Sequence, residues 1–432
     1  MKIAIIGYGL QGASSYEYWR KDNQITICDQ NEIQNPPKDV ELRIGSDHLK
    51  NLNDFDLIVR SPSVHPKDII SANGEQIKNK ITTNTNEFFK VCPSKNIIGV
   101  TGTKGKGTTS TLITKMLEET GRKVHLGGNI GTPPLEMLEA GIDKNDWVVL
   151  ELANFQLIDI KYSPHIALCL MVVPEHQDWH QDMEEYVNAK SQLFSHQTET
   201  DIAIYYSKNE ISKKIASSGN AAQIPYYNYP GAVVEDEYIK IDSNEICKIS
   251  DIKLLGRHNL QNVCAAVTTI WQIDKKIATI QNVLSTFSGL EHRLELVREL
   301  EGVKYYDDSF ATTPESAIVA IEAFKSPKII ILGGSDKGAK YNELAKTVNS
   351  GNVRHVILIG DTAQAIEAAL VQEGYNNYSF GNSEINEIVT LAKVKSHPGD
   401  VVLLSTGCAS FGIFKDYKDR GDKFKSAVRS LS

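Results

Sequence analysis

The chain lacks the long apolar run that a membrane-spanning helix requires. Its longest, such as Ala167-Leu168-Cys169-Leu170-Met171-Val172-Val173, are strand length and well short of the roughly 20 residues needed. Cysteine is sparse: the six residues, Cys28, Cys92, Cys169, Cys247, Cys264 and Cys408, are scattered and form no C-x-x-C pair, which argues against a disulfide framework or a zinc knuckle. Positive charge is not in excess either. Lys and Arg number 46 against 54 Asp and Glu, a net charge of −8, so the clustered cations that release counterions from nucleic acid are missing. Repeats of solenoid length and low-complexity tracts are also missing. Met1-Lys2-Ile3-Ala4-Ile5-Ile6 runs directly into a glycine loop and leaves no room for a signal peptide. The expected setting is therefore a reducing cytoplasm, with neither nucleic acid nor membrane as partner.

What is present is an alternation of short apolar runs, ending in glycine or polar turn residues, with amphipathic stretches, the pattern of parallel α/β layers. The 432 residues leave room for about three domains of about 150 residues each, and the pattern restarts twice. A first section spans 1–92 and ends at the proline-containing linker Val91-Cys92-Pro93-Ser94-Lys95. A second spans 93–289 and opens on the strand Asn96–Val100; a third spans 290–432, with strands at Lys328–Leu332, His355–Ile359 and Val401–Ser405. The polar, weakly periodic stretch Ser207–Ser250 carries no clear pattern of its own.

Two glycine loops carry chemistry. Gly7-Tyr8-Gly9-Leu10-Gln11-Gly12 follows a strand and opens a helix, and Asp29 ends the next strand. Glycines there permit a tight turn and close backbone approach, the helix N-terminus attracts a diphosphate, and the acid can hold a ribose or a base. Close packing of helix on strand is the plainer alternative. The second loop, Thr101-Gly102-Thr103-Lys104-Gly105-Lys106-Gly107-Thr108-Thr109, follows the strand Ile97-Ile98-Gly99-Val100. Its backbone N–H groups can cradle phosphate oxygens, Lys106 can reach the β- and γ-phosphates, and a hydroxyl can hold Mg²⁺. Gly107 stands where Ser or Thr is usual, which leaves Thr108 or Thr109 to supply that hydroxyl. Two phosphate sites are more than a simple dehydrogenase needs. In parallel sheets ligands sit at the carboxyl ends of strands, so Glu151 and His176, which end or follow the runs Trp147–Leu150 and Ile166–Val173, are expected to face the crevice of Lys106.

Gly102–Thr109, Gly127-Gly128-Asn129-Ile130-Gly131, Glu151–Leu157, Glu175-His176-Gln177-Asp178 with Ala189-Lys190, Gly256–Asn262 and Glu291-His292-Arg293 together resemble, in that order, the Mur ligases, ATP-dependent amide-bond ligases of cell-wall synthesis. The run Leu404–Tyr417 with Arg420-Gly421 resembles the members that add glutamate to UDP-N-acetylmuramoyl-L-alanine. The resemblance implies three α/β domains: a Rossmann-like UDP-binding domain, a central P-loop ATPase-like domain with a mainly parallel sheet, and a Rossmann-like C-terminal domain that binds the amino acid. It implies ATP and two Mg²⁺ ions as cofactors and an acyl phosphate made from the alanine carboxylate; a monomer is the expected state, though nothing in the sequence sets it.

By the same resemblance, Gly102, Thr103, Lys104, Gly105, Lys106, Gly107, Thr108 and Thr109 bind ATP, with Asn259, Asn262, Arg293 and Asp308. Thr108, Glu151 and His176 serve the metals, joined by Lys190, a lysine carbamylated in several members. Leu10, Gln11, Asp29 and Ser61-Pro62-Ser63 hold UDP, and Asn129 contacts the sugar-peptide. Thr312, Lys337, Ser410 and Tyr417 form the amino-acid pocket. There the family's D-S-K-A-T-N is replaced by Asp308-Ser309-Phe310-Ala311-Thr312-Thr313, which removes a cation. D-Glutamate is the expected acceptor, with L-glutamate the first alternative; a folylpolyglutamate synthase-like ligase and an NAD-dependent oxidoreductase are the others.

Overall fold

The computed structural model describes residues 1–432 except 177, 178, 257, 337, 383, 411 and 413. Apolar runs without alternation form strands buried on both faces, and β-branched Ile and Val suit them. The first sheet comprises β1 (Lys2–Ile6), β2 (Gln24–Asp29), β3 (Glu41–Ile44), β4 (Leu57–Arg60) and β5 (Ile81–Thr83), all parallel, in the order β3-β2-β1-β4-β5. The order reverses between β1 and β4, which opens a crevice at their carboxyl ends, where Gly7 and Ser61 lie.

The second sheet contains β6 (Ile97–Thr101), β7 (Val124–Gly128), β8 (Trp147–Glu151), β9 (Ile166–Cys169), β10 (Ile202–Tyr206) and β11 (Ala222–Tyr226), also parallel, in the order β11-β10-β9-β6-β8-β7. β6 thus lies between β8 and β9, with Val100 paired to Glu151 and Thr101 to Cys169. The unpatterned stretch supplies β12 (Val233–Glu235), β13 (Tyr238–Ile241) and β14 (Asn244–Lys248), a small antiparallel sheet. A fourth sheet is built from β15 (Glu295–Leu300), β16 (Val303–Asp307), β17 (Lys328–Gly333), β18 (Val353–Ile359), β19 (Tyr378–Phe380) and β20 (Val401–Leu404), in the order β15-β16-β20-β17-β18-β19. Only its edge strand β15 is antiparallel. The α/β, mainly parallel architecture expected from the sequence is therefore present.

By packing, the chain forms two compact units, Met1–Asp251 with Leu260–Ser285, and Ile252–Asn259 with Thr286–Ser432. In the first unit one apolar cluster runs from Ile3 and Ile5 of β1 through Phe88 and Phe89 to Val148 and Leu150 of β8. The second unit packs two clusters against its sheet, one including Ile330 and Leu332 and the other Ile329 and Ile331, as the alternation of β17 requires.

β9 ends at Cys169, four residues short of the expected run to Val173. Leu170–Val173 leaves the sheet to bond the glycine loop: Leu170 N–H donates to Thr101 O (2.9 Å), Thr103 N–H to Met171 O (2.9 Å), and Val173 N–H to Thr103 Oγ1 (3.0 Å). Among the described residues no helix is long and apolar enough to cross a membrane.

Candidate active site

The buried strand β6 delivers the chain into a loop with two positions where a side chain cannot be accommodated. Gly102 has φ +142° and a Cβ there would lie 2.6 Å from Leu170 Cβ; Gly105 has φ +90°, and a Cβ would lie 2.3 Å from Asn262 Oδ1. Glycine is required at both. The helix Lys106–Glu119 then starts at Gly105 with no side-chain cap, so its first-turn N–H groups and dipole are available to an anion. Thr101 Oγ1, Thr109 Oγ1 and Ser110 Oγ are buried without a hydrogen-bond partner, polar atoms of the kind a phosphate or its metal would satisfy.

Two ammonium groups converge on one carbonyl at this loop. Lys106 Nζ donates to Gly102 O (3.2 Å) and Thr103 O (2.9 Å), and Lys190 Nζ donates to Gly102 O (2.9 Å). Lys190 is 1% exposed and its ammonium lies 4.6 Å from the centre of the Tyr186 ring. Burial, and then the charge of Lys106, push it down to about 7, so near neutrality a large share of Lys190 is the free amine. Thr103 is also held from the segment that follows β9. Its hydroxyl is engaged with Val173 O (3.0 Å), Val173 N–H and Tyr186 Oη (3.0 Å), which pins the loop to the segment after β9. Lys104 is exposed, and Gly107 and Thr108 are buried in the first helical turn.

Glu151 ends β8 at 3% exposure. Asn129 Nδ2 donates to its Oε1 (3.0 Å), and Asn129 N–H to its backbone oxygen (2.8 Å). Gly128 makes that approach possible, since a Cβ would fall 2.2 Å from Glu151 O. His176, at φ +57°, packs on Phe155 with ring centres 4.8 Å apart and lies 3.6 Å from Glu175 Oε2. The structure therefore brings Lys106, Lys190 and Asn262 to the loop and joins Glu151 to Asn129, while the described side-chain contacts of His176 are to Phe155 and Glu175.

At the first loop, Gly7 has φ +83°, and a Cβ at Gly12 would lie 2.1 Å from Gly7 O. Asp29 Oδ2 accepts from Tyr8 N–H (2.7 Å) and Ser61 Oγ donates to Gly7 O (2.5 Å), so acid and hydroxyl hold the loop's shape from the strands beside it. Leu10 opens the uncapped helix Leu10–Trp19 at 82% exposure, the highest of any large apolar residue among those described. Gln11 Nε2 reaches Gly128 O at 3.5 Å, at the edge of hydrogen-bond range.

In the second unit, Asp308 follows β16 and is buried. Ser405 Oγ donates to its Oδ2 (2.6 Å) and Leu294 N–H to its Oδ1 (3.1 Å), while burial pushes its carboxyl up to about 7. Phe310, where the family pattern has lysine, carries the Arg293 guanidinium 3.8 Å above its ring centre and meets the Tyr417 ring edge-on at 5.0 Å. A cation thus stays beside this position, on a different residue. Arg420 is fully buried and donates to Ser309 Oγ (2.9 Å), Ser309 O (2.7 Å) and Cys408 O (3.1 Å), fixing the turn that presents Phe310 and Thr312. Ser410 is buried, Thr312 and Tyr417 are half-buried, and Asn259 Nδ2 donates to Leu255 O (2.5 Å). Lys337 lies outside the described residues.

Two features escaped the sequence reading: the buried Arg60 that ends β4, and Glu185 near the start of the helix carrying Lys190. A charged residue closing an otherwise apolar strand was the available signal for Arg60.

The Mur ligase middle domain matches residues 100–270 and the Mur ligase glutamate ligase domain matches residues 292–408. A protein of Clostridium tetani named UDP-N-acetylmuramoylalanine–D-glutamate ligase is 37% identical, the match covering 100% of this chain and 97% of that protein. The chain belongs to the Mur ligase family. Solved Mur ligases share its fold: the UDP-N-acetylmuramate-alanine ligase MurC of Thermotoga maritima, at 15% identity, has a TM-score of 0.64 over 100% of this chain and 99% of the other. The MurF ligase of the same organism in complex with ADP, at 16% identity, has a TM-score of 0.62 over 100% and 95%.

Proposed function

We propose that this Mur ligase is an ATP-dependent enzyme that joins D-glutamate to the alanine carboxylate of UDP-N-acetylmuramoyl-L-alanine, in the synthesis of peptidoglycan precursors in the cytoplasm. The observation that carries the chemistry is the meeting of Lys106 and Lys190 on Gly102 O below an uncapped helix N-terminus. The substrate class comes from the relative named for that reaction, to which the whole chain is similar. Both cradles lie on one chain, so a monomer suffices.

A carboxylate resists amine attack because its charge repels the nucleophile and its oxygen leaves poorly. In the proposed reaction an alanine carboxylate oxygen takes the γ-phosphoryl of ATP and ADP departs. The glutamate amine then attacks the acyl carbon, phosphate leaves with that oxygen, and the nitrogen loses a proton. Both steps gather negative charge in one place, so fixed cations and N–H donors carry the catalysis. Lys106 and the N–H groups of Gly105–Thr108 hold the phosphates in this reading, with Asn262 beside Gly105. Thr108, Glu151 and His176 offer the oxygen and imidazole donors that suit a divalent ion. Mg²⁺ bound there would neutralise charge between the β- and γ-phosphates.

Lys190 belongs to the proposal as a carbamate: its neutral free amine adds to CO₂ and releases one proton, which leaves an anion able to serve a metal where a basic group stood. Leu10, Gln11, Asp29 and Ser61 hold UDP, and Asn129, tied to Glu151, faces the sugar-peptide. Arg293 and Asp308 carry the family's ATP-binding pattern, and Thr312, Ser410 and Tyr417 its glutamate-binding one. An NAD-dependent oxidoreductase leaves the second loop without a task, and a folate-directed ligase leaves the first without one.

The test is a coupled phosphate-release assay with UDP-N-acetylmuramoyl-L-alanine, Mg²⁺-ATP and each glutamate enantiomer. The expected result is turnover with D-glutamate and, with L-glutamate, no more than about a tenth of that rate, the modest end of what pocket geometry discriminates. Faster turnover with L-glutamate moves the acceptor to that enantiomer, and turnover with a folate alone overturns the reading.

A further inference from the structure

Four nitrogens surround one carboxylate between the first sheet and the helix Met183–Ser195, two of them bonded to it and two ring nitrogens nearby. Lys67 Nζ lies 2.5 Å from Glu185 Oε1, and Gln181 N–H donates to Glu185 Oε2 at 2.8 Å. His65 Nε2 and His180 Nδ1 each lie 3.5 Å from the same Oε2. Both imidazoles are buried, His180 at 3% exposure.

Their tautomers follow from the atoms on the far side of each ring. His65 Nδ1 accepts from Lys67 N–H (3.1 Å), which leaves its proton on Nε2, facing Glu185. His180 Nε2 lies 2.7 Å from Asn154 Nδ2; with that amide donating, its proton sits on Nδ1, 3.5 Å from Glu185 Oε2 but without a hydrogen bond to it. The three side chains have the spacing of a metal site. An ion would need both facing nitrogens stripped of their protons, and His65 would lose its bond from Lys67 N–H. A carboxylate bonded by Lys67 and Gln181, with the two protonated ring edges beside it at 3.5 Å, describes an anion cage better. Burial opposes ionisation of Glu185, but the bonds from Lys67 and Gln181 and the His65 ring outweigh it and hold the carboxyl at about 2.

The cage connects two segments that the proposed function uses. On one side, His65 caps the helix Pro66–Asn73, directly after Ser61-Pro62-Ser63. On the other, Glu185 lies in the helix that bears Lys190, and His180 follows His176 by four residues. Further contacts run in parallel. Lys67 Nζ donates to Gln181 Oε1 (2.6 Å), and Trp179 Nε1 donates to Ser63 O (3.4 Å). The ring series His65, Trp179, Phe155, His176 has successive centres 4.4, 4.8 and 4.8 Å apart. The helix itself is capped by Asp182, which accepts from Glu185 N–H, so its capping does not rest on this carboxylate alone.

We propose that Glu185 is a positioning residue that locks the Ser61–Lys67 segment of the UDP cradle to the His176–Lys190 segment of the phosphate site, setting where the substrate carboxylate meets the γ-phosphate. This rests on the function proposed above.

The test compares wild-type protein with Glu185→Gln, which keeps the volume but removes the charge, and with Lys67→Met, whose exposed side chain can be changed even if the first variant fails to fold. The expected result for each folded variant is a kcat lower by about 10- to 100-fold, as misplacement by about an ångström can produce, with the KM for ATP within about twofold of wild type. Hydrogen exchange at residues 61–67 is expected to accelerate, a readout independent of turnover. A kcat within about twofold of wild type in both variants, with unchanged exchange at 61–67, overturns the proposal. Retention of one Zn²⁺ per chain by wild type but not by Glu185→Gln, in equilibrium dialysis, overturns it in favour of a metal site. If wild type fails to ligate either glutamate, the functional reading falls while the exchange measurement still decides whether Glu185 holds the two segments together.

Discussion

Replacing Lys106 with alanine is expected to reduce kcat for ligation by about 10³-fold, equivalent to about 4 kcal/mol of transition-state stabilisation, while the protein stays folded. Folding is expected to survive because the side chain is half-buried and two of its hydrogen bonds are to loop carbonyls, one of which Lys190 also holds. Catalysis does not survive, because phosphoryl transfer leaves little covalent work to the protein and depends on fixed positive charge at the β- and γ-phosphates. A second consequence separates this account from a simple loss of ATP affinity. The charge of Lys106 is one of the forces that depress Lys190, so removing it makes Lys190 more basic and lowers its free-amine fraction near neutrality. The carbamate signal of protein equilibrated with ¹³C-bicarbonate is therefore expected to weaken in Lys106→Ala. Ligation within about tenfold of wild type, measured with saturating ATP, contradicts the role given to Lys106.

Arg60→Ala is expected to destabilise the protein by about 3 kcal/mol, read as a lower midpoint in urea unfolding. Arg60 is 1% exposed at the end of β4 and makes five hydrogen bonds: two to Asp159 (2.6 and 2.9 Å), and one each to Ser61 O, Val64 O and Phe155 O. Truncation leaves a carboxylate and three carbonyls without that partner, and unsatisfied buried groups cost more than the bonds they formed were worth. Asp159 retains some exposure, which places the effect at the lower end of the range for buried pairs. Removing Asp159 as well is expected to recover only part of the loss, because the carbonyls keep their deficit. A double variant as stable as wild type would show that the ion pair alone sets the contribution of Arg60.

Both glycine loops were legible in the sequence because their chemistry is local. A strand, a glycine at positive φ and a helix start are contiguous, and Gly7, Gly102 and Gly105 do adopt positive φ. Glu151 was legible from its strand end, since parallel pairing sets the carboxyl ends of β6 and β8 side by side. The edge strand β15 was not. It is amphipathic and antiparallel in a sheet otherwise read from buried apolar runs, and its polar alternation looks like a loop. Lys190 meeting Gly102 O, Arg293 stacking on Phe310 and Glu185 gathering His65 and Lys67 all join residues in separate segments. Such contacts are set by how elements pack, which spacing does not encode. Leu170–Val173 shows the opposite error: an apolar run long enough for strand leaves the sheet because Thr103 offers it better-placed hydrogen bonds.

The central claim is that a triphosphate's terminal phosphoryl group passes to a carboxylate carried on a UDP-linked sugar. The most direct measurement uses UDP-N-acetylmuramoyl-L-alanine with ¹⁸O in its alanine carboxylate, turned over with Mg²⁺-ATP and D-glutamate, followed by mass analysis of the phosphate released. Transfer through an acyl phosphate predicts one ¹⁸O atom in each phosphate formed. Phosphate free of the label, alongside normal amide formation, would contradict it.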